Sequence, residues 1–119
     1  MPGLNLEPFP RQVLIGLTAG VVSYYSESYD LKDYRTVAYT MTTYASMPNS
    51  TSPPALMFLD ASNDPQGPWD ELIPAGTGPA VGGTVNGTET VTGRYLRVRV
   101  DVLNGETTAF QVRLVARSD

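Results

Sequence analysis

Two stretches near the C-terminus decide the fold: Arg94–Val102, RYLRVRVDV, and Thr107–Arg117, TTAFQVRLVAR. In the first, Leu96, Val98, Val100 and Val102 alternate with Tyr95, Arg97, Arg99 and Asp101; in the second, Phe110, Val112, Leu114 and Ala116 alternate with Ala109, Gln111, Arg113 and Val115. Successive side chains of a strand point to opposite faces, so each stretch reads as a strand with one buried face. The connector Leu103-Asn104-Gly105-Glu106 contains Asn-Gly, the signal of a two-residue hairpin turn. A two-residue loop would set apolar residues opposite outward-facing ones. A three-residue loop over 103–105, with Gly105 left-handed, pairs Val98 with Phe110 and Leu96 with Val112 and keeps one face apolar. Because a one-residue slip inverts a strand, the three-residue hairpin is the expectation.

Outward from this pair, the chain breaks into short strands and turn-rich loops. Ala55–Ala61 is apolar on both faces and reads as a central strand; Arg35–Ala45 is long, with Val37, Tyr39 and Met41 on one face. Gln12–Thr18 and Gly20–Tyr25 are apolar segments, Trp69–Ile73 is short, and Thr-rich Thr84–Thr92 reads as an edge strand. Ser46–Pro54, Ser62–Pro68 and Pro74–Gly83 collect Pro, Gly, Ser and Asn and read as loops. Composition agrees: Val, Ile, Thr, Tyr, Phe and Trp total 38 of 119 residues, whereas Glu, Gln and Lys total nine, too few to build exposed helix faces. The chain is therefore all-β, a single-domain antiparallel β-sandwich or jelly roll over 12–119. Residues 1–11 read as an extended arm, because Pro2, Pro8 and Pro10 withhold backbone donors. Leu4, Leu6 and Phe9 on that arm are expected to dock on a partner.

Charge and residue inventory exclude several function classes. With no Cys and no His, disulfides, Cys/His zinc sites and His-based triads are ruled out. Net charge is −4, the wrong sign for a nucleic-acid binder. Apolar runs are too short to span a membrane, and the N-terminus lacks the pattern of a secretory signal. The carboxylates Glu27, Asp30, Asp33 and Glu71 show no pairing for acid–base work, and the expectation is a non-enzyme without cofactor. Asp60, Ser62, Asn63 and Asp64 form an oxygen-rich turn; lacking the Gly and distal Glu of a calcium loop, it reads as a plain turn. Two surfaces suit a partner. Tyr24, Tyr25, Tyr29 and Tyr34 cluster within eleven residues, and tyrosine is enriched at interfaces. Arg97 and Arg99, with Arg113 expected beside them, offer guanidinium groups to an acidic surface.

Two resemblances follow from these residues. LDASNDPQGPWDEL (Leu59–Leu72) and GRYLRVRV (Gly93–Val100) resemble the strand, Ser-Asp turn, Trp and Arg-Tyr-x-Arg pieces of discoidin-like (F5/8 type C) jelly rolls. That resemblance implies a carbohydrate-binding module, without the family's end cysteines and without a transferable ligand site. The whole-chain character, an acidic, cysteine-free β-domain with a Pro-containing apolar arm, resembles capsid decoration (cement) proteins of tailed bacteriophages. This implies a structural protein made in the host cytoplasm and placed on the virion, homo-oligomeric there. Its partner would be the major capsid protein or another virion protein, with neither nucleic acid nor membrane involved. A head–tail connector or tail component is the remaining alternative.

Overall fold

A computed structural model describes residues 4–16, 20–103 and 105–118 and contains nine strands and, among these residues, no helix. They are β1 (Leu4–Ile15), β2 (Val21–Tyr25), β3 (Tyr29–Asp30), β4 (Thr36–Met47), β5 (Ala55–Ser62), β6 (Asp70–Glu71), β7 (Thr84–Thr90), β8 (Tyr95–Leu103) and β9 (Thr107–Arg117). All pairing is antiparallel. The first sheet runs β1-β9-β4-β7; the second runs β2-β8-β5-β6, with β3 also pairing β8. The two pack face to face as a β-sandwich, as the alternation predicts.

The core lies between the sheets. Leu96, Val98, Val100 and Val102 face it from β8, Phe110, Val112, Leu114 and Ala116 from β9, and Val37 and Met41 from β4; all are 0–1% exposed. β5 is buried along nearly its whole length, because β8 pairs one side of it and β6 and a bridge to Thr77 pair the other. β7 is an edge strand with exposed and half-buried residues in alternation.

Three expectations need correction. β8 and β9 are not a hairpin: β8 belongs to the second sheet and β9 to the first. Gly105 is left-handed as expected (φ +74°), but the connection crosses from one sheet to the other, and Val98 and Phe110 enter the core from different sheets. Strict alternation fixes which face is buried; it does not fix whether the partner lies beside the strand or opposite it.

Residues 4–11 are not an arm. They form the first part of β1, which pairs β9 from Leu4↔Ala116 to Ile15↔Thr107. Phe9 is 5% exposed and packs on Phe110 in a tilted pair with ring centroids 5.7 Å apart, and Leu4 and Leu6 pack on the core. The side chains expected to dock on a neighbour thus serve the chain's own interior. Pro8 and Pro10 are accommodated because β1 is an edge strand, with register shifts between Leu6 and Phe9 and between Phe9 and Gln12.

Arg113 does not lie beside Arg97 and Arg99. It is on β9, opposite Thr40 of β4, and so on the other sheet.

Candidate functional site

The outer face of the second sheet carries a network of ion pairs and ring contacts, in which Asp60 Oδ1 and Arg99 Nε are buried without a hydrogen-bond partner. Arg97 on β8 stands between two rings, 4.6 Å from Tyr25 and 4.5 Å from Trp69, and its Nε donates to Asp60 Oδ2 at 3.1 Å. Arg99, two residues on, lies 3.9 Å from the Phe58 ring and pairs with Glu71 (3.4 Å) and Asp101 (3.2 Å). The Ser23 hydroxyl donates to Asp101 at 2.7 Å. Strand pairing produces this arrangement, because Phe58 faces Arg99 and Asp60 faces Arg97 across β5–β8. Asp60 is 2% exposed and its carboxylate depends on Arg97. These guanidinium groups are engaged within the chain.

The four tyrosines do not form one patch. Tyr24, Tyr29 and Tyr34 pack against the core, and the Tyr24 hydroxyl donates to the Ile15 carbonyl. Burial, with Glu27 nearby, pushes the Tyr29 hydroxyl up. Of the four, only Tyr25 is exposed, and its ring stacks on Arg97. Beside them Arg94 grips Asp30 through two bonds of 2.8 and 2.7 Å, which holds the Asp30 carboxyl below its ordinary value. The turn after Asp60 is a local motif: the Asp64 N–H donates to Ser62 Oγ at 3.1 Å and the Gln66 N–H to Asp64 Oδ1 at 2.9 Å.

The outer face of the first sheet differs. In one row across β1, β9 and β4 stand Ile15, Thr107 and Met47; in the next stand Val13, Ala109 and Ala45. Val13, Ile15 and Met47 are 59%, 62% and 76% exposed, and Val21, where β2 begins, is 55% exposed. Aliphatic side chains more than half in water and side by side are the kind of surface that suits a partner. They sit at the end of the sandwich where β1, β4 and β8 finish and β2, β5, β7 and β9 start. The chain is uncharged over 12–26, 36–59 and 72–88, and over 102–112 its one charge is Glu106; these are the segments that meet at this end. Charge depletion is the compositional mark of an interface centre.

Glu106 fixes the geometry of this end. It is fully buried. Its Oε1 accepts from Ser46 Oγ (2.7 Å) and the Asn49 N–H (2.6 Å), and its Oε2 from the Ser50 N–H (2.8 Å) and Oγ (2.9 Å). Burial works to raise its pKa, but the bonds from Ser46, Ser50 and Asn49 outweigh it and hold the carboxyl at about 2. The clamp ties residues 46–50 to the start of β9, so Met47 projects from a held backbone. Val13, Ile15, Val21 and Met47 are not among the residues that alternation and motif reading single out. The signal that finds them is the set of charge-free stretches, once the topology shows that they converge.

No family model matches the chain, and no curated protein matches it. Among solved structures, the fold is similar to that of the PBSX exported protein XepA. The TM-score is 0.69 at 14% identity over 98% of this chain and 37% of that one, so the chain spans little more than a third of that protein's length. PirA aligns with a TM-score of 0.49 at 10% identity, over 90% of this chain and 93% of that one. At 14% identity the likeness to XepA is one of fold: this chain is an all-β sandwich of the kind found in that exported protein.

Proposed function

We propose that the chain is a structural virion protein of a tailed bacteriophage, a capsid decoration protein that binds the assembled head and stabilises it. The observation that carries this reading is the uncharged end of the sandwich, with Val13, Ile15, Val21 and Met47 more than half exposed. Water-exposed aliphatic side chains on a held backbone are stabilised by burial against a neighbour, at roughly 1 kcal/mol each for the half still exposed. A ligand that binds the assembled state and not its separated parts stabilises that state by linkage, and many weak contacts on one particle add through multivalency. The phage-related character of the fold neighbour supports the same direction. The attachment surface in this reading is the apolar end, in place of the arm and the arginine face.

Co-sedimentation with undecorated heads tests it. Wild-type protein is expected to pellet with the heads, and the double variant Ile15→Lys/Met47→Lys to bind more than tenfold more weakly, since about 1.4 kcal/mol gives that factor. Both forms should melt alike, because both sites lie in water. Equal pelleting of the two forms rules out this attachment surface; no pelleting of wild-type protein overturns the decoration role.

A further inference from the structure

The edges of the two sheets are not treated alike. β1 carries Pro8, Pro10 and two register shifts, β2 is five residues long, and β6 is two. Proline, bulges and shortness are the means by which proteins keep an edge from pairing with another chain. β7, Thr84-Val85-Asn86-Gly87-Thr88-Glu89-Thr90, has none of them. It is seven residues long, without proline or register shift, and holds one charge. Among the described residues it pairs β4 on one side and no strand on the other.

The hydrogen-bond phase is set at both ends of the β4–β7 ladder. The Thr43 N–H donates to the Gly83 carbonyl at 3.2 Å and the Val91 N–H to the Arg35 carbonyl at 2.8 Å. The odd residues of β7 therefore bond to β4. The N–H and C=O groups of Thr84, Asn86, Thr88 and Thr90 point away from the sheet, into the free edge.

We propose that β7 is a homotypic pairing edge: a second copy of this chain adds antiparallel to it about a two-fold axis at Gly87, joining the two first sheets into one of eight strands. The axis falls at the middle residue of the strand, and the register is self-consistent. Thr84 meets Thr90 of the second copy and Asn86 meets its Thr88, so each pair brings together residues whose backbone groups already face outward. On the outer face these pairs are hydroxyl with hydroxyl and amide with hydroxyl, favourable cross-strand neighbours. Glu89 meets Val85, so no like charges oppose. Gly87 meets Gly87 at a non-hydrogen-bonded position, where two strands approach closest. Gly87 also leaves room for a ring of its own chain: a Cβ there would stand 2.6 Å from Cζ of Tyr39, so a side chain at this position requires that ring to shift. Pairing between copies of this kind is isologous and closes as a dimer.

The experiment is sedimentation equilibrium of the full chain from low micromolar to millimolar concentration, with amide hydrogen exchange at both extremes. The expected result is a monomer–dimer equilibrium in which the amides of Thr84, Asn86, Thr88 and Thr90 become protected as concentration rises. Those of Val85, Gly87 and Glu89 should be protected throughout. Thr88→Pro removes an outward N–H from an edge strand, a place where proline is tolerated. It should leave melting nearly unchanged and weaken dimerisation by about 100-fold or more. Should that variant fail to fold, Thr88→Lys serves the same purpose through a charge on the edge. A chain that stays monomeric, or a dimer in which the four outward amides still exchange freely, overturns the proposal. So does a dimer that survives substitution at Thr88 but is lost in Ile15→Lys. Ile15 lies on β1, at the opposite edge of the first sheet from β7, so this outcome is independent of binding to heads.

Discussion

The two outer faces of the sandwich come from one chain and one type of sheet, yet they handle polarity in opposite ways. The second sheet places Arg97, Arg99, Asp60, Glu71 and Asp101 next to one another and ion-pairs them within the chain, with Tyr25, Trp69 and Phe58 packed on the guanidinium groups. The first sheet gathers Glu7, Arg113 and Arg117 toward one end of its outer face and, at the other, leaves Val13, Ile15 and Met47 in water. A face whose charges are matched within the chain has little left to exchange with a partner. The charge-free end of the other face can be buried without desolvating an ion. The sequence feature that draws attention, an arginine-rich strand, therefore marks a face engaged within the chain, and the quiet, charge-free stretches mark the exposed apolar end.

The largest effect that would break this comparison is expected on the second sheet. Arg97→Ala removes the guanidinium that holds Asp60, leaving a carboxylate 2% exposed without its partner. Loss of one member of such a pair costs about 3–5 kcal/mol, read as a lower denaturation midpoint at unchanged slope. A change below ~1 kcal/mol would show that the network is dispensable and that the face is free to bind after all.

A pH titration tests the end that joins the two faces. Glu106 has a folded pKa of about 2, against an ordinary value of 4.5. A carboxyl with a depressed folded pKa contributes stability that is present above its unfolded pKa and lost as pH falls through the folded one. Melting temperature should therefore hold from neutral pH to about 4.5 and then fall toward pH 2, with Glu106 contributing to that limb. Glu106→Gln should melt lower at neutral pH and show a shallower acid limb, the gap to wild type closing as acid is added. Parallel acid limbs in the two proteins would mean that the clamp on Ser46, Asn49 and Ser50 does not set the conformation of this end.

The smallest stability effect sharpens the contrast. Met47→Lys alters a side chain 76% exposed and should change stability by no more than about 0.5 kcal/mol, measured by the same denaturation. If it instead destabilises as much as Arg97→Ala, the apolar end is part of the fold rather than a surface held ready.

Much of the fold is legible in the residues. The alternations in β8 and β9, the two-sided burial of β5 and the edge position of β7 follow from pattern and composition, because period-two burial is local to each strand. Two features are not legible. Pairing between sheets and pairing within one produce the same alternation, so the connection at Gly105 reads as a hairpin when it is a crossover. Prolines at 8 and 10 exclude a central strand but suit an edge strand and a free arm equally. What decides is whether Phe9 has somewhere to go, and Phe110, a hundred residues away, supplies the place. For the candidate site, the arginines and tyrosines stand out by type, whereas Val13, Ile15 and Met47 stand out only by exposure. Exposure depends on which strand lies beside each residue.

The long pairing of β1 with β9 has an engineering consequence. Leu4 lies beside Ala116, while Ile15 lies beside Thr107 at the other end of the same ladder. The first residue of β1 and the end of β9 thus lie together, a strand's length away from the uncharged end. A domain fused to either terminus would stand clear of whatever that end touches. If the uncharged end faces a particle, the protein is a display scaffold with its attachment point on the floor and both of its open ports on the roof.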